Sequence, residues 1–524
     1  MLSLVVVIPI LIAVLLFVFS TNTGARILAI IMQTVLFGIS VWLVFATRAG
    51  DIVTFVGSDG DVLGIVLRAN SLSAVFILLT TFIFLAATIY TYKEDRDMRT
   101  FWFLLFLLEA SFIGLFLTND LFNIFVLVEV STLVTVILTL FDRKQRNMYY
   151  GKVFLMANVV AAQFYLLGLA YVYRLTGVLD IYRVTEAIAL TDRANLVLPY
   201  VLIMTTVAFK CTLIPFFSWT PKAKIYPRSP TVVAAILSGL QAKTALYLFL
   251  RFQEIFAPIA ATEFFMVIGI IAGIFGAFMA ICQTNMKMIL AYHTVSQVGL
   301  IIIGVSGEAG NIGGLYHIVS HAMFKTTLFL GTGIIFHSYG TGNVYKIRGV
   351  FRRMPVVAVG MIAAVLGIVG APFFIGSVSK YFVAHNVSFA LNLTVILISL
   401  GTIISFIKFS RMFFGKSDLY GDIPVAENCR TIPVIIMGAI CLAGGVFGPE
   451  MIYFLFRYSV DIDFLGYAQK SLVFAGSLAA GYVIYNLAVK ENHTLKRVGD
   501  VKFSFKSICA SLGVFFGVML LWVG

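Results

Sequence analysis

Runs of about twenty apolar residues, separated by short polar stretches, recur from one end of this chain to the other. A helix of about that length crosses a hydrocarbon core of about 30 Å. The pattern predicts sixteen spans, at 2–20, 26–46, 69–92, 101–118, 121–141, 153–173, 195–219, 229–252, 262–282, 288–306, 312–337, 355–383, 388–414, 431–449, 467–489 and 507–523. The expected fold is an all-α polytopic membrane protein with about 14–16 transmembrane helices. The first run has neither a basic start nor a small-residue cleavage site before Thr21, so it reads as a retained helix rather than a signal peptide.

Charge fixes the expected topology. Loops and span ends after odd-numbered spans hold 25 Lys and Arg residues, among them Lys93, Arg96, Arg143, Lys144, Lys222, Lys224, Arg228, Arg352, Arg353, Lys408, Arg411 and Lys502; those after even-numbered spans hold 8. The positive-inside rule then places both termini outside, in a cell inner or plasma membrane. The same rule explains the net charge of +13 without any nucleic-acid partner. The longest polar stretches, about 47–68 and 174–194, are too short to fold alone, so redox or nucleotide chemistry would have to come from another subunit. The five cysteines are scattered without a C-x-x-C pair, so neither a cofactor nor a metal site is expected from this chain.

Against this apolar background four lysines fall inside spans: Lys210, Lys243, Lys325 and Lys380. A charge near the bilayer centre costs at least about 3 kcal/mol, so it marks either a partner or a pathway. Glu129 and Glu109 are acidic counterparts within the fifth and fourth spans. His317, His321 and Lys325 follow at i, i+4 and i+8 along one helix face. Histidine titrates near neutral pH and can pass protons; two histidines at i, i+4 can also bind zinc, but no third ligand is evident in that span.

Two spans carry a proline followed by two phenylalanines: Pro215 five residues after Lys210, and Pro372 eight residues before Lys380. Proline removes a backbone hydrogen bond and breaks or kinks a helix. The two breaks lie five spans apart, which gives the halves opposite orientation. Inverted repeats with discontinuous helices around an ion are built this way. The expected division is 1–100 for the first three helices, 101–252 and 262–414 for two inverted five-helix repeats with helices 7 and 12 broken, and 431–524 for the C-terminal helices.

At about residues 60–415 the chain resembles the antiporter-like subunits shared by Mrp-type cation/proton antiporters, respiratory complex I and membrane-bound hydrogenases. The resemblance rests on Asp120-Leu-Phe-Asn-Ile-Phe-Val-Leu-Val-Glu129, on Lys210 with Pro-Phe-Phe-Ser-Trp-Thr-Pro221, on Ser229-Pro-Thr-Val-Val-Ala-Ala and Gly239-Leu-Gln-Ala-Lys243, on Lys287-Met-Ile-Leu-Ala-Tyr-His-Thr-Val-Ser-Gln297, and on His317-Ile-Val-Ser-His321-Ala-Met-Phe-Lys325. The D-type member of the Mrp antiporters looks most similar. The chain departs from the family pattern at Lys222, Lys224 and Arg228, at Ile375-Gly-Ser-Val-Ser-Lys380, and in two helices beyond the fourteen-helix family core.

The resemblance implies that the fifth and seventh helices are neighbours, so that Glu129 and Lys210 form a pair. At 4 Å and an effective dielectric near 20 such a pair gains about 4 kcal/mol. It serves either as a gate for proton release or as a static structural pair. Lys243 reads as a pathway lysine or as one snorkelling to a helix end marked by Arg251. Lys380 reads as a terminal proton donor or acceptor, or as a helix-end lysine near His385 and Asn386. The function implied is a secondary-transporter subunit, not itself an enzyme, of a multi-subunit antiporter that moves protons through a buried Glu/Lys/His chain against a monovalent cation, Na+ first. The alternative is the same machinery driven by a redox arm in a complex I-like or hydrogenase assembly.

Overall fold

The computed structural model of the protein describes all residues except 1, 20–22, 58–63, 94–98, 142–144, 219–228, 308–310, 386, 417–427, 491 and 500–503. Among the described residues, fourteen helices are long and apolar enough to cross a membrane. In chain order the helices are α1 (Leu2–Phe19), α2 (Thr23–Ala46), α3 (Ser71–Tyr90), α4 (Arg99–Leu117), α5 (Leu121–Thr139), α6 (Gln145–Thr176), the short α7 (Ile181–Ala189), α8 (Arg193–Lys210), α9 (Thr231–Ile255), α10 (Thr262–Cys282), α11 (Met286–Ser306), α12 (Asn311–Tyr339), α13 (Pro355–Val369), α14 (Ile375–Val383), α15 (Phe389–Ser410), α16 (Asn428–Val446), α17 (Gly448–Phe456), α18 (Phe464–Val489), α19 (His493–Gly499) and α20 (Phe505–Val523). The two expected spans outside the fourteen are the broken ones. The seventh stops at Lys210, and the twelfth divides into α13 and α14.

Among the described residues, one element lies outside the all-α expectation. Ile52–Val56 pairs antiparallel with Ile65–Ala69, with Ile52 opposite Ala69 and Val56 opposite Ile65. Its strands are rich in the β-branched residues that suit a pleated surface.

Two compact units emerge. The first holds residues 1–219, 240–261 and 504–524; the second holds 220–239 and 262–503. In the first unit α8 packs on α6 and α20, and α4 packs on α1 and α5. In the second, α10 and α11 pack backbone to backbone. A Cβ on Gly299 would lie 2.5 Å from the Gly269 carbonyl and 2.6 Å from the Gly273 nitrogen, so only glycine permits that approach. α12 is the hub of this unit, packing on α11, α13, α14 and α16.

The breaks have defined local chemistry. At the first, Cys211 N donates to Val207 O, Thr212 N to Phe209 O and Leu213 N to Ala208 O, and a 3-10 turn follows at Phe216–Ser218. At the second, α13 ends on Gly370 in the left-handed conformation (φ 84°). α9 is interrupted by a five-residue π turn, Leu237–Gln241, immediately before Ala242 and Lys243. Such turns leave backbone groups outside the regular ladder and recur at functional sites.

Candidate functional site: buried lysines at helix breaks

In the first unit the Asp-Leu-Phe-Asn element is a helix start. Asp120 caps α5, its carboxylate accepting from Asn123 N at 2.6 Å, and the Asn123 amide donates back to Thr118 Oγ1 at 2.9 Å. Burial, the larger effect, pushes the Asp120 carboxyl above its usual range against the pull of its backbone donors. The cap fixes where α5 begins and hence which face Glu129 and Thr132 share, three residues apart. Lys210, the last residue of α8, donates from Nζ to Thr132 Oγ1 at 2.8 Å.

Glu129 lies close enough to interact electrostatically with Lys210. The expected Glu129–Lys210 ion pair is nevertheless open. Glu129 Oε1 has no hydrogen-bond partner among the described residues, and the Lys210 ammonium is held by Thr132 instead. Lys210 is also only partly buried.

Lys243 is completely buried, with α9 continuing for twelve residues beyond it to Ile255, so it is not a snorkelling end residue. Arg251, expected to mark that end, is itself buried and lies 3.6 Å from the Glu254 carboxylate. Glu109 is fully buried on α4 and meets Gln33 of α2, whose amide donates to Oε1 at 2.5 Å.

The second unit gathers the remaining candidates. Lys325, fully buried on α12, donates to the Leu290 carbonyl of α11. One turn along α11, His293 Nε2 lies 2.5 Å from Ser405 Oγ of α15. The charges of Lys325, Lys408 and Lys380 all act on this ring.

His317 bridges two helices, with Nε2 3.1 Å from Gln297 Oε1 and Nδ1 2.8 Å from Ser379 Oγ. A carbonyl oxygen only accepts, so Nε2 carries the proton and Nδ1 faces the serine hydroxyl. If a proton arrives at Nδ1, the Ser379 hydroxyl can turn to the Gly376 carbonyl, 3.2 Å away. The ring can therefore take or give a proton with one hydroxyl rotation. Both ring nitrogens are engaged by side chains of neighbouring helices. His321 is fully buried with its ring edge-on to Phe324.

Ser379 precedes Lys380, whose ammonium sits at the second break. Lys380 Nζ donates to Ile368 O at 2.9 Å and to Val369 O at 3.1 Å. Both carbonyls are free for physical reasons. Ile368 would accept from residue 372, which is proline and has no N–H. Val369 would accept from Phe373, whose N–H instead reaches the Tyr467 hydroxyl at 3.0 Å. Lys380 is thus a buried cation held by the carbonyl end of a broken helix, where the helix dipole also favours positive charge.

Lys408 is a correction to the sequence reading, which counts it among the loop charges. It is 2% exposed on α15, and its ammonium donates to the carbonyls of Ala280 (3.3 Å), Ile281 (2.5 Å) and Gln283 (2.5 Å) at the end of α10. Lys222, Lys224, Arg228 and Asn386 lie outside the described residues. Among the described residues no group of three or more His, Cys, Asp or Glu side chains converges.

A chain of buried lysines and histidines hung on broken helices is the architecture of a membrane ion-translocation protein. Residues 118–406, more than half of the chain, match the family model for the transmembrane part of NADH:quinone oxidoreductase and Mrp antiporter proteins. The chain belongs to this family. It is 29% identical over 431 residues to the N subunit of the NADH-quinone oxidoreductase of Desulforudis audaxviator, covering 76% of this chain and 85% of that one. It is 26% identical over 417 residues to the D-type component of the Na(+)/H(+) antiporter of Alkalihalophilus pseudofirmus, covering 76% and 83%. Its fold is similar to a chain of the Mrp complex from Dietzia sp., with a TM-score of 0.79 at 22% identity, over 93% of this chain and 99% of that one.

Proposed function

We propose that this protein is the ion-translocating subunit of a multi-subunit Na+/H+ antiporter. Protons would move through Glu129, Lys210 and Lys243 in one unit and through Lys325, His317, His321 and Lys380 in the other. The observation that carries this reading is the Lys380 site, a buried ammonium on two carbonyls released by a helix break, with His317 reaching the adjacent residue. A purely structural lysine would not need a titratable relay beside it. The open Glu129–Lys210 arrangement supports a gate, because a permanently closed pair would have no second state to enter. The similarity to the Na(+)/H(+) antiporter component favours sodium as the exchanged cation. The repeat boundaries 101–252 and 262–414, and both termini outside, belong to the same proposal, as do partner membrane subunits.

A redox-driven pump is the second reading, favoured by the similarity to the oxidoreductase component. Two measurements separate them. Everted vesicles carrying the complex are loaded by respiration, and dequenching of a pH dye is followed on addition of NaCl. Sodium-dependent dequenching in a complex whose subunits lack iron–sulfur and quinone sites supports antiport. Its absence, with proton uptake on adding a reductant, supports the pump.

A further inference from the structure

Glu109 is a buried acid that the proton chain does not use. It sits on α4 and is completely buried, as is its partner, Gln33 of α2. Gln33 Nε2 donates to Glu109 Oε1 at 2.5 Å. The remaining atoms of the two groups, Glu109 Oε2 and Gln33 Oε1, are buried and have no hydrogen-bond partner among the described residues. Glu109 also makes no ion pair among those residues. An ionised carboxylate and an amide oxygen both only accept, so the two stranded oxygens cannot satisfy each other. A buried carboxylate with one amide donor and no cation falls far short of the hydration it gave up. One proton on Oε2 removes both deficits. The oxygen becomes a donor, and Gln33 Oε1, on a planar fork already joined to the carboxyl at its other prong, becomes the acceptor.

The way α2 is attached gives the pair its purpose. The outward face of α2 is apolar, with Ile27, Ile31, Val35, Trp42 and Phe45 exposed. In lipid, apolar contact gives no hydrophobic drive for one helix to join another, and polar groups between helices supply ties. On α2 these ties recur every seven residues, at 26, 33 and 40, which keeps them on one face. Arg26 Nη1 donates to Tyr92 O at 2.9 Å, Gln33 meets Glu109, and Ser40 Oγ lies 2.8 Å from Thr81 Oγ1. The central tie is the one of the three that reaches α4. We infer that Glu109 is a docking acid rather than a transporting one. It keeps its proton through the transport cycle, donates it from Oε2 to Gln33 Oε1 and accepts from Gln33 Nε2, and this reciprocal pair holds α2 on the bundle. Because the pair is neutral, it keeps its bonds when charge moves elsewhere in the protein.

The test uses the whole purified complex and everted vesicles that carry it. The infrared spectrum of the parental complex minus that of Glu109→Gln should show a protonated-carboxyl C=O band at about pH 6 and at about pH 9 alike. An ionised-carboxylate band at either pH overturns the inference. Glutamine offers an N–H where the acid offers its O–H, so Glu109→Gln should exchange ions within about threefold of the parental rate and with the parental pH profile. A larger loss, as expected of a proton-carrying glutamate, overturns it. Gln33→Leu should at least about halve the amount of complex on native gels, whereas Gln33→Glu with Glu109→Gln, which swaps acid and amide across the pair, should keep the parental amount. Parental yield in Gln33→Leu overturns the docking role, and loss of complex in the swapped pair overturns the reciprocal bonding. The infrared and gel readouts hold whichever ion the complex moves.

Discussion

Lys380→Arg tests whether the lysine at the second break must release its proton or only cap a helix. The ammonium makes two bonds to carbonyls, at 2.9 and 3.1 Å. Hydrogen bonds to charged groups contribute about 1.5–3 kcal/mol each, so the pair contributes roughly 3–6 kcal/mol. Burying an ammonium costs several kcal/mol, which offsets most of this gain. Lys380→Met gives up both terms, and the complex should still assemble with a net loss of about 3 kcal/mol or less. Arginine keeps the charge and the donors, and the adjoining cavity of about 90 Å³ accepts its larger head. With a pKa above about 12, its neutral fraction at pH 7.5 is on the order of 1 in 10⁵. Exchange that requires residue 380 both to bind and to release a proton therefore falls below detection in both variants, since arginine does not release one and methionine does not bind one, while a mere cap works normally as arginine. The assay is sodium-driven dequenching of a pH dye in everted vesicles, with complex content measured in the same membranes. More than about a tenth of parental exchange in Lys380→Arg would refute proton release at this position.

Glu129→Gln and Lys210→Ala should each slow exchange about a hundredfold without loss of assembly, and near-normal rates in either would remove the pair from the pathway. Replacing both His317 and His321 with Ala should slow exchange about tenfold and change its pH profile; an unchanged profile would assign both rings to packing. Pro372→Ala supplies an N–H that can compete with Lys380 for the Ile368 carbonyl, so exchange should fall in a fully assembled complex, and parental rates would show that the break needs no proline. Gly376→Ala would place its Cβ 1.9 Å from the Gly367 carbonyl; the expected outcome is loss of assembled complex on native gels, and normal yield would contradict the packing at this crossing.

Span positions are legible in the sequence because about twenty apolar residues between polar segments leave few alternatives, and proline at 215 and 372 marks where two spans fail. The hairpin at Ile52–Val56 is not, because two five-residue strands give little periodic signal inside a polar stretch. Lys408 misleads for a different reason. It sits near a run's end, close to Arg411 and Lys416, where a loop charge is the natural reading. Its burial depends on carbonyls of residues 280–283, about 125 positions away, which no local pattern reports. Gln33 as the partner of Glu109, 76 residues apart, is hidden in the same way. Thr132 leaves a trace in the sequence, since it lies one turn from Glu129 on the same helix face, and a hydroxyl there is a natural first partner for an incoming ammonium.

The two units solve the problem of a buried lysine differently, and the difference bears on mechanism. In the first unit the partner field of Lys210 includes a carboxylate, Glu129, whose own charge can change. In the second, Lys380 and Lys408 rest on backbone carbonyls, which are fixed dipoles that never titrate. A lysine beside a carboxylate can be switched by moving the carboxylate or its proton. A lysine on carbonyls can be switched only by changing the geometry of the helix end or the charge on its neighbours. At Lys380 the geometry depends on Pro372, which frees one carbonyl, and on Tyr467, which frees the other by taking the Phe373 N–H. Any motion of α18 that withdraws Tyr467 lets Phe373 turn back toward Val369, costing Lys380 half its hydrogen bonds. If Lys380 carries protons as proposed, a shift of α18 at this break would change its proton affinity without a second titrating acid.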